Sequence, residues 1–160
     1  MPDTGITAII LIIANIAFSY KGFTNPLFFD GYKFEVDKIL IKKDYLRLVS
    51  SGFLHVSWMH LIVNMVSLYF FSGIIESSLG VLQFLIIYFA SLIGGNLLSL
   101  FINKNHGDYS ATGASGTVCG IIFASIAVFP GMGIGFFGLP LFYSGLVVWH
   151  CVYSVFYLLH

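Results

Sequence analysis

The residues best suited to chemistry lie in GASG, residues 113–116, at the start of an apolar run. Ser115 would occupy the first turn of a helix, where free backbone N–H groups and the positive end of the helix dipole favour a developing negative charge. Gly113 and Gly116 would let another backbone or a substrate approach closely. The pattern therefore suits a serine nucleophile. Gly116 and Gly120 also form a G-x-x-x-G pair, which is typical of tight helix packing in membranes.

A second polar group lies in GFLHVSWMHLIVNM, residues 52–65. His60 and Asn64 are four residues apart, so they share one face of a helix, and His55 comes just before that helix. The pair could bond a neighbouring helix, or it could donate hydrogen bonds to an oxyanion. A serine attacks when a base takes its proton and donors receive the oxyanion. These residues offer the donors and leave the base unidentified.

Composition indicates that the elements positioning these residues lie in a membrane. Hydrophobic residues make up 58% of the 160 and charged residues 9%, whereas soluble domains carry about 25% charged residues. The zero net charge argues against a nucleic-acid partner. Cys119 and Cys151 both lie in apolar runs, so we interpret them as small packing residues rather than as a disulfide or a metal site.

Five apolar stretches are candidates for spanning helices, which need about 20 apolar residues each. The third contains Ser91, Gly95 and Ser99 at four-residue spacing, a pattern that indicates close helix packing and no chemistry. The first has no preceding Lys or Arg and no A-x-A site, so we expect a retained span rather than a cleaved signal peptide. The predicted spans cover residues 5–20, 57–75, 81–102, 113–129 and 138–159.

The segment 21–54 mixes charges with aromatic and aliphatic residues. Such a mixture suits a stretch lying in the headgroup layer, and an ordinary solvated loop is the alternative. Six of the seven Lys and Arg residues lie in this segment. The positive-inside rule would therefore place it in the cytoplasm.

Taken together, these motifs resemble the rhomboid family of intramembrane serine proteases. The resemblance rests on Arg47 followed by SSGFLHVSWMHLIVNM, then IIESSLG with Glu76 and Gly80, then GASG. It covers essentially the whole chain in order and spacing.

The resemblance implies an all-α, polytopic transmembrane helix bundle, with five spans here of a six-span core, in a single domain over residues 1–160. It implies that Ser115 is the catalytic serine and that His60 and Asn64, with the Ser115 N–H, form the oxyanion hole. Gly113 and Gly116 flank the nucleophile. His55 would support the site, and Arg47, Glu76 and Gly80 match structural positions.

The resemblance also implies partners and a location. The partners would be transmembrane protein substrates and the lipid bilayer, with no nucleic acid, metal or cofactor. The segment 21–54 would lie outside the cytoplasm, in conflict with the charge rule. We expect a bacterial plasma membrane, because only a few residues precede the first span.

One departure concerns the base. Rhomboid proteases take the dyad histidine from a sixth core helix, in a motif like A-H-x-x-G, and that motif is absent from these 160 residues. His150 is a candidate substitute: measured from the turn between the last two spans, it lies about 18 Å deep and Ser115 about 22 Å. Helix packing is the alternative role for His150, since the family places the fifth helix at the gate. His160 would lie too near the surface.

Three functions stay open at this stage. The chain could be a rhomboid protease that lacks its last helix, and is then weak or inactive as it stands. It could be a non-catalytic member that binds transmembrane segments without cutting them. A small channel or transporter is disfavoured by the serine–glycine motif and by the His60–Asn64 spacing.

Overall fold

The computed structural model describes residues 5–129 and the backbone of two short strands beyond them. The helices are α1 (Ile6–Thr24), α2 (Pro26–Tyr32), α3 (Val36–Leu40), α4 (Arg47–Ser50), α5 (Trp58–Leu79), α6 (Val81–Asn103) and α7 (Ser115–Val128). The strands are β1 (Phe34–Glu35), β2 (Ser110–Ala111), β3 (Ile134–Phe136) and β4 (Leu139–Leu141).

Three of the described helices, α1, α5 and α6, are long and apolar enough to cross a membrane. This confirms the predicted fold class, a helical membrane bundle. Three helices run past the predicted ends, to Thr24, Leu79 and Asn103. The fourth predicted span corresponds to α7, which has 14 residues. It is about 21 Å long and therefore shorter than the hydrocarbon layer is thick. The predicted fifth span differs at its start, because residues 139–141 form a strand, and its remainder lies outside the described residues.

Specific residues set the ends of the long helices. The Ser57 hydroxyl accepts a hydrogen bond from the His60 N–H at 3.2 Å and caps the start of α5, satisfying one of the free donors of the first turn. Gly80 ends α5 and begins α6, with φ +92°. That conformation favours glycine, which explains how two spanning helices follow each other with one residue between them.

The core lies where α5 packs between α1, α6 and α7. Fully buried side chains from these helices include Leu68, Ile75, Phe84, Tyr88 and Ile121. The outward faces of α1, α5 and α6 keep large apolar side chains exposed, as expected of surfaces that face lipid.

Between α1 and α5, the segment 25–57 folds into short helices and turns. Its β1 pairs antiparallel with β2, with Phe34 opposite Ala111 and Glu35 opposite Ser110. The Val36 N–H also donates to the Tyr109 carbonyl at 3.2 Å. This segment is thereby joined to the residues just before Ser115. Its apolar residues Leu27, Ile41 and Leu46 are exposed; its place in the headgroup layer stays a prediction.

Candidate active site

Ser115 is the first residue of α7 and is half-buried. This confirms its predicted place in the first turn of a helix, although the helix begins two residues later than the predicted span. Ala114 precedes it as the N-cap residue and makes no side-chain capping bond. The amides of the first helical turn have no intrahelical partners. The start of α7 therefore presents backbone donors around the serine hydroxyl.

Gly113 brings His60 next to this helix start. Its φ is +121°, and a Cβ at this position would lie 2.5 Å from His60 Cε1. Glycine is required here for two reasons, the backbone conformation and the imidazole that packs against it. The structure thus places the GASG motif and the His60 face of α5 in one site.

Asn64 lies one turn below His60 and is buried. Its Nδ2 donates to the His60 carbonyl at 2.9 Å, which fixes the amide orientation within α5. The rings of His55 and His60 meet edge to face, with centroids 5.0 Å apart. The catalytic roles of His60 and Asn64 stay predictions.

His55 is fully buried and both of its ring nitrogens have partners. Nδ1 lies 2.8 Å from the Ser19 hydroxyl, and Nε2 accepts the Ala114 N–H at 3.4 Å. Burial, with a smaller contribution from the neighbouring charge of His60, lowers the pKa of His55 to about 3. The imidazole is therefore neutral at physiological pH. Because Nε2 already accepts a backbone N–H, His55 is poorly placed to take a proton from Ser115.

A second hydrogen bond fixes the backbone before Ser115. The Ser51 carbonyl accepts the Gly113 N–H at 3.0 Å. Ser51 is held in turn by Asn96 of α6, whose Nδ2 donates to Ser51 Oγ at 3.1 Å and to the Leu48 carbonyl at 2.7 Å. Two consecutive amides, those of Gly113 and Ala114, are thus bonded to the segment between α1 and α5.

Arg47 holds this segment together. The residue is 7% exposed. Nη1 donates to the carbonyls of Asp30 and Lys33, at 2.9 and 2.7 Å, and Nε donates to the Asp44 carboxylate at 2.8 Å. The guanidinium therefore joins the end of α2 to the start of α4.

Glu76 joins the far ends of two spans. Its carboxylate accepts the N–H groups of Thr7 and Ala8, both at 3.4 Å, at the N-terminus of α1. A carboxylate at this end of a helix interacts favourably with the dipole. Gly5 allows the contact, since a Cβ there would overlap the carboxylate.

The other side of Ser115 faces α6 across a cavity of about 110 Å³. Small residues bring the two helices together: Gly95 lies against Gly116, and a Cβ on Gly120 would overlap the Ser91 hydroxyl. Of the stripe Ser91, Gly95 and Ser99 predicted to pack closely, Ser91 and Gly95 do so, and Ser99 lines the cavity. The cavity wall includes Gly95, Asn96, Ser99, Thr112, Ser115 and Thr117.

Within residues 5–129, no hydrogen bond joins the Ser115 hydroxyl to a histidine. His150, the candidate substitute base, and His160 lie outside the described residues. Among the described residues, no group of three or more His, Cys, Asp or Glu side chains could hold a metal ion.

Sequence reasoning missed Ser19, Ser51 and Asn96, whose hydrogen bonds hold the residues around Ser115. A polar side chain within an apolar helix is a signal for contacts or function. That signal was present for Ser19 and Asn96, but periodicity does not tell which distant residue each one meets.

Comparison with known proteins agrees with this architecture. Residues 42–160 match the model of the Rhomboid domain family. Over 116 residues, 68% of this chain, the sequence is 30% identical to Rhomboid protein 1, mitochondrial, of Saccharomyces cerevisiae. It is 34% identical over 82 residues (51% of this chain) to Rhomboid-like protease 3 of Toxoplasma gondii, and 34% over 89 residues (55%) to RHOMBOID-like protein 4 of Arabidopsis thaliana. The matches cover 34%, 31% and 22% of those relatives, respectively.

Proposed function

Because this chain is an integral membrane protein that belongs to the rhomboid family, we propose that it is built as an intramembrane serine endopeptidase. It would cleave a peptide bond in or near a substrate's transmembrane helix, and a bacterial plasma membrane is its proposed location. Ser115 would attack the carbonyl. The Ser115 N–H, with His60 and Asn64, would bind the tetrahedral oxyanion.

One observation carries this proposal: His60 packs against Gly113, two residues before a serine that opens a helix without a side-chain cap. An imidazole of α5 and free amides of α7 thus face the same region. Preorganised donors of this kind stabilise developing negative charge at little reorganisation cost. If these residues served helix packing alone, the first turn of α7 would not need to keep its amides uncapped beside a histidine.

The base must come from elsewhere. His55 is neutral and its nitrogens are occupied, so it supports the backbone rather than the hydroxyl. The rhomboid resemblance assigns the base to a histidine of a sixth helix, whose A-H-x-x-G motif these 160 residues lack. We therefore expect this 160-residue chain by itself to be a weak or inactive protease.

The cavity beside Ser115 suggests where a base would enter. It has a volume of about 110 Å³ and lies between α6 and α7. A cavity of about 150 Å³ binds benzene, so the space is of the right order for an imidazole ring. The small side chains around it would also let a further helix approach closely.

A non-catalytic rhomboid relative is the second candidate function, because His55, the described histidine next to Ala114, already has partners on both ring nitrogens. Such a protein would bind transmembrane segments through the same site without hydrolysis. The two functions differ in one measurable property, which is whether Ser115 becomes nucleophilic when a base is supplied.

Exogenous imidazole provides that base. The chain is reconstituted in liposomes with a fluorogenic transmembrane substrate, and cleavage is measured against imidazole concentration. We expect little cleavage without imidazole and a rate that rises with its concentration, at a level far below that of an intramolecular base because the base is not held in place. Ser115→Ala should abolish the imidazole-dependent cleavage. The matched control is Ser110→Ala, which removes an exposed serine hydroxyl and should leave the rate unchanged.

The opposite result favours the non-catalytic function. If the substrate binds and no Ser115-dependent cleavage appears at any imidazole concentration, the endopeptidase proposal is wrong. If cleavage without imidazole requires both Ser115 and His150, then His150 is the base and the prediction of inactivity is wrong.

A further inference from the structure

Ser19 connects the first helix to the residues around the nucleophile. It lies in the last part of α1 and is fully buried. Its hydroxyl donates to the Phe53 carbonyl at 3.0 Å and lies 2.8 Å from His55 Nδ1. Its partners are 34 and 36 residues away in sequence, so these contacts exist only in the folded bundle.

The two ends of this network determine its direction. At one end the Phe53 carbonyl can only accept, so it takes the single Ser19 proton. Ser19 must then accept from His55, which places the imidazole proton on Nδ1. At the other end the Ala114 N–H can only donate, and it meets the lone pair left on Nε2. Each of the three donors in this network, the Ser19 hydroxyl, His55 Nδ1–H and the Ala114 N–H, thus has one acceptor, and no two donors face each other.

We propose that Ser19 is a positioning residue for the Ser115 site: it holds His55 as the Nδ1–H tautomer, so that Nε2 accepts the Ala114 N–H and fixes the residue that precedes the nucleophile. The inference rests on the proposed function only for the role of Ser115. The contacts themselves do not depend on catalysis.

The start of α7 explains why a hydrogen bond to the Ala114 N–H is needed. Ala114 is the N-cap residue and has no side-chain oxygen to cap the helix. A capping hydroxyl would occupy an amide of the first turn, and the Ser115 N–H of the same turn is the proposed oxyanion donor. Fixing the helix start through the Ala114 N–H, which bonds His55, leaves the amides of that turn free.

Loss of the Ser19 hydroxyl has a specific consequence. In Ser19→Ala the Nδ1–H would face a methyl group, and an unpaired buried donor is costly. The alternative tautomer would place an N–H against the Ala114 N–H. The first state leaves a buried donor unpaired, which shifts the equilibrium toward the second state, and the second state breaks the bond to Ala114. The Gly113–Ser51 bond would remain as the nearby backbone tether.

The test uses the full 160-residue chain, labelled with ¹⁵N, in lipid nanodiscs. Nitrogen NMR of the His55 ring, assigned by its disappearance in His55→Gln, reports the tautomer, and hydrogen exchange reports the Ala114 amide. We expect Nδ1–H in the unsubstituted chain. Ser19→Ala should reduce the Nδ1–H population and accelerate Ala114 exchange about tenfold, as expected for the loss of about one net hydrogen bond.

Two further variants separate this role from general packing. Ser19→Thr keeps the hydroxyl and should retain the Nδ1–H tautomer. Ser125→Ala removes an equally buried hydroxyl that bonds the Phe71 and Ile121 carbonyls, and it should leave both readouts unchanged. If the unsubstituted chain carries the proton on Nε2, or if Ser19→Ala changes neither readout, the inference is wrong.

These readouts need no turnover, so they separate the two proposals. A Ser19-dependent tautomer in a chain without Ser115-dependent cleavage supports the inference and contradicts the endopeptidase. Cleavage that survives unchanged in Ser19→Ala, with the tautomer unchanged, supports the endopeptidase and overturns the inference. If both hold, Ser19→Ala should lower kcat of the imidazole-dependent reaction more than it raises KM.

Discussion

The two sides of Ser115 are built in different ways. On the hydrogen-bonded side, formed by Ser19, Ser51 and His55, directional contacts fix the amides of Gly113 and Ala114. On the small-residue side, α6 meets α7 at two close approaches, Gly95 against Gly116 and Ser91 against Gly120, and Ser99 lines the cavity beside them.

The difference corresponds to what each side has to do in the proposed site. Oxyanion donors must be held at defined distances and angles, which hydrogen bonds achieve. Small residues fix only how closely two helices approach. They leave a cavity, and a cavity is what a base or a substrate backbone needs beside the serine. The comparison predicts that the two sides respond differently to substitution and to pH.

The largest effect is expected for Gly113→Ala on the hydrogen-bonded side. A residue other than glycine at φ +121° is strained by about 1–3 kcal/mol, and the added Cβ would lie 2.5 Å from His60 Cε1. We expect the free energy of unfolding to fall by about 3 kcal/mol or more. Thermal or denaturant unfolding in detergent measures it.

The control is Gly94→Ala, because Gly94 is an exposed helical glycine with nothing within 4 Å of an added Cβ. It should be neutral or stabilising by a few tenths to about 1 kcal/mol. If the two substitutions lowered the free energy of unfolding equally, His60 would not pack against Gly113.

A smaller effect is expected for Gly120→Ala on the small-residue side. The added Cβ would overlap the Ser91 side chain, and overpacking costs about 1–3 kcal/mol. Ser91→Gly removes the overlapping atoms, so the double variant should recover most of the loss. A double-mutant cycle of unfolding free energies measures this coupling. Additive effects would mean that α6 and α7 do not touch there.

The smallest effect is a pH dependence confined to the hydrogen-bonded side. The pKa of His55 is lowered from an ordinary value of 6.5. Below pH 6.5 the unfolded state therefore binds a proton that the folded state does not, and stability falls as the pH falls. Between pH 7 and 5.5 the loss should be about 1 kcal/mol.

His55→Gln isolates this contribution, because glutamine does not titrate. Its stability should fall less steeply over the same pH range than that of the unsubstituted chain, since the other histidines contribute equally to both. Identical slopes would show that folding does not lower the pKa of His55. Gly120→Ala should keep the slope of the unsubstituted chain, because its contacts involve no titratable group.

Much of the fold was readable from the sequence. Apolar runs of 16 or more residues predict membrane helices, because a helix satisfies all of its backbone hydrogen bonds within the segment when it lies in lipid. Three of the predicted spans are long helices in the structure. The position of Ser115 at a helix start was also predicted correctly. The short strands β1 and β2 were not predicted, because two residues form no detectable pattern.

The sequence by itself determined the class of the molecule and the candidates for its reactive residues, since lipid enforces helices, the four GASG residues are consecutive and the His60–Asn64 spacing lies within α5. Only the tertiary structure decided what surrounds them. Ser19, Ser51 and Asn96 meet their partners across 34 to 62 residues of chain. Local periodicity carries no information about such contacts, because they depend on how the helices pack rather than on where each helix begins.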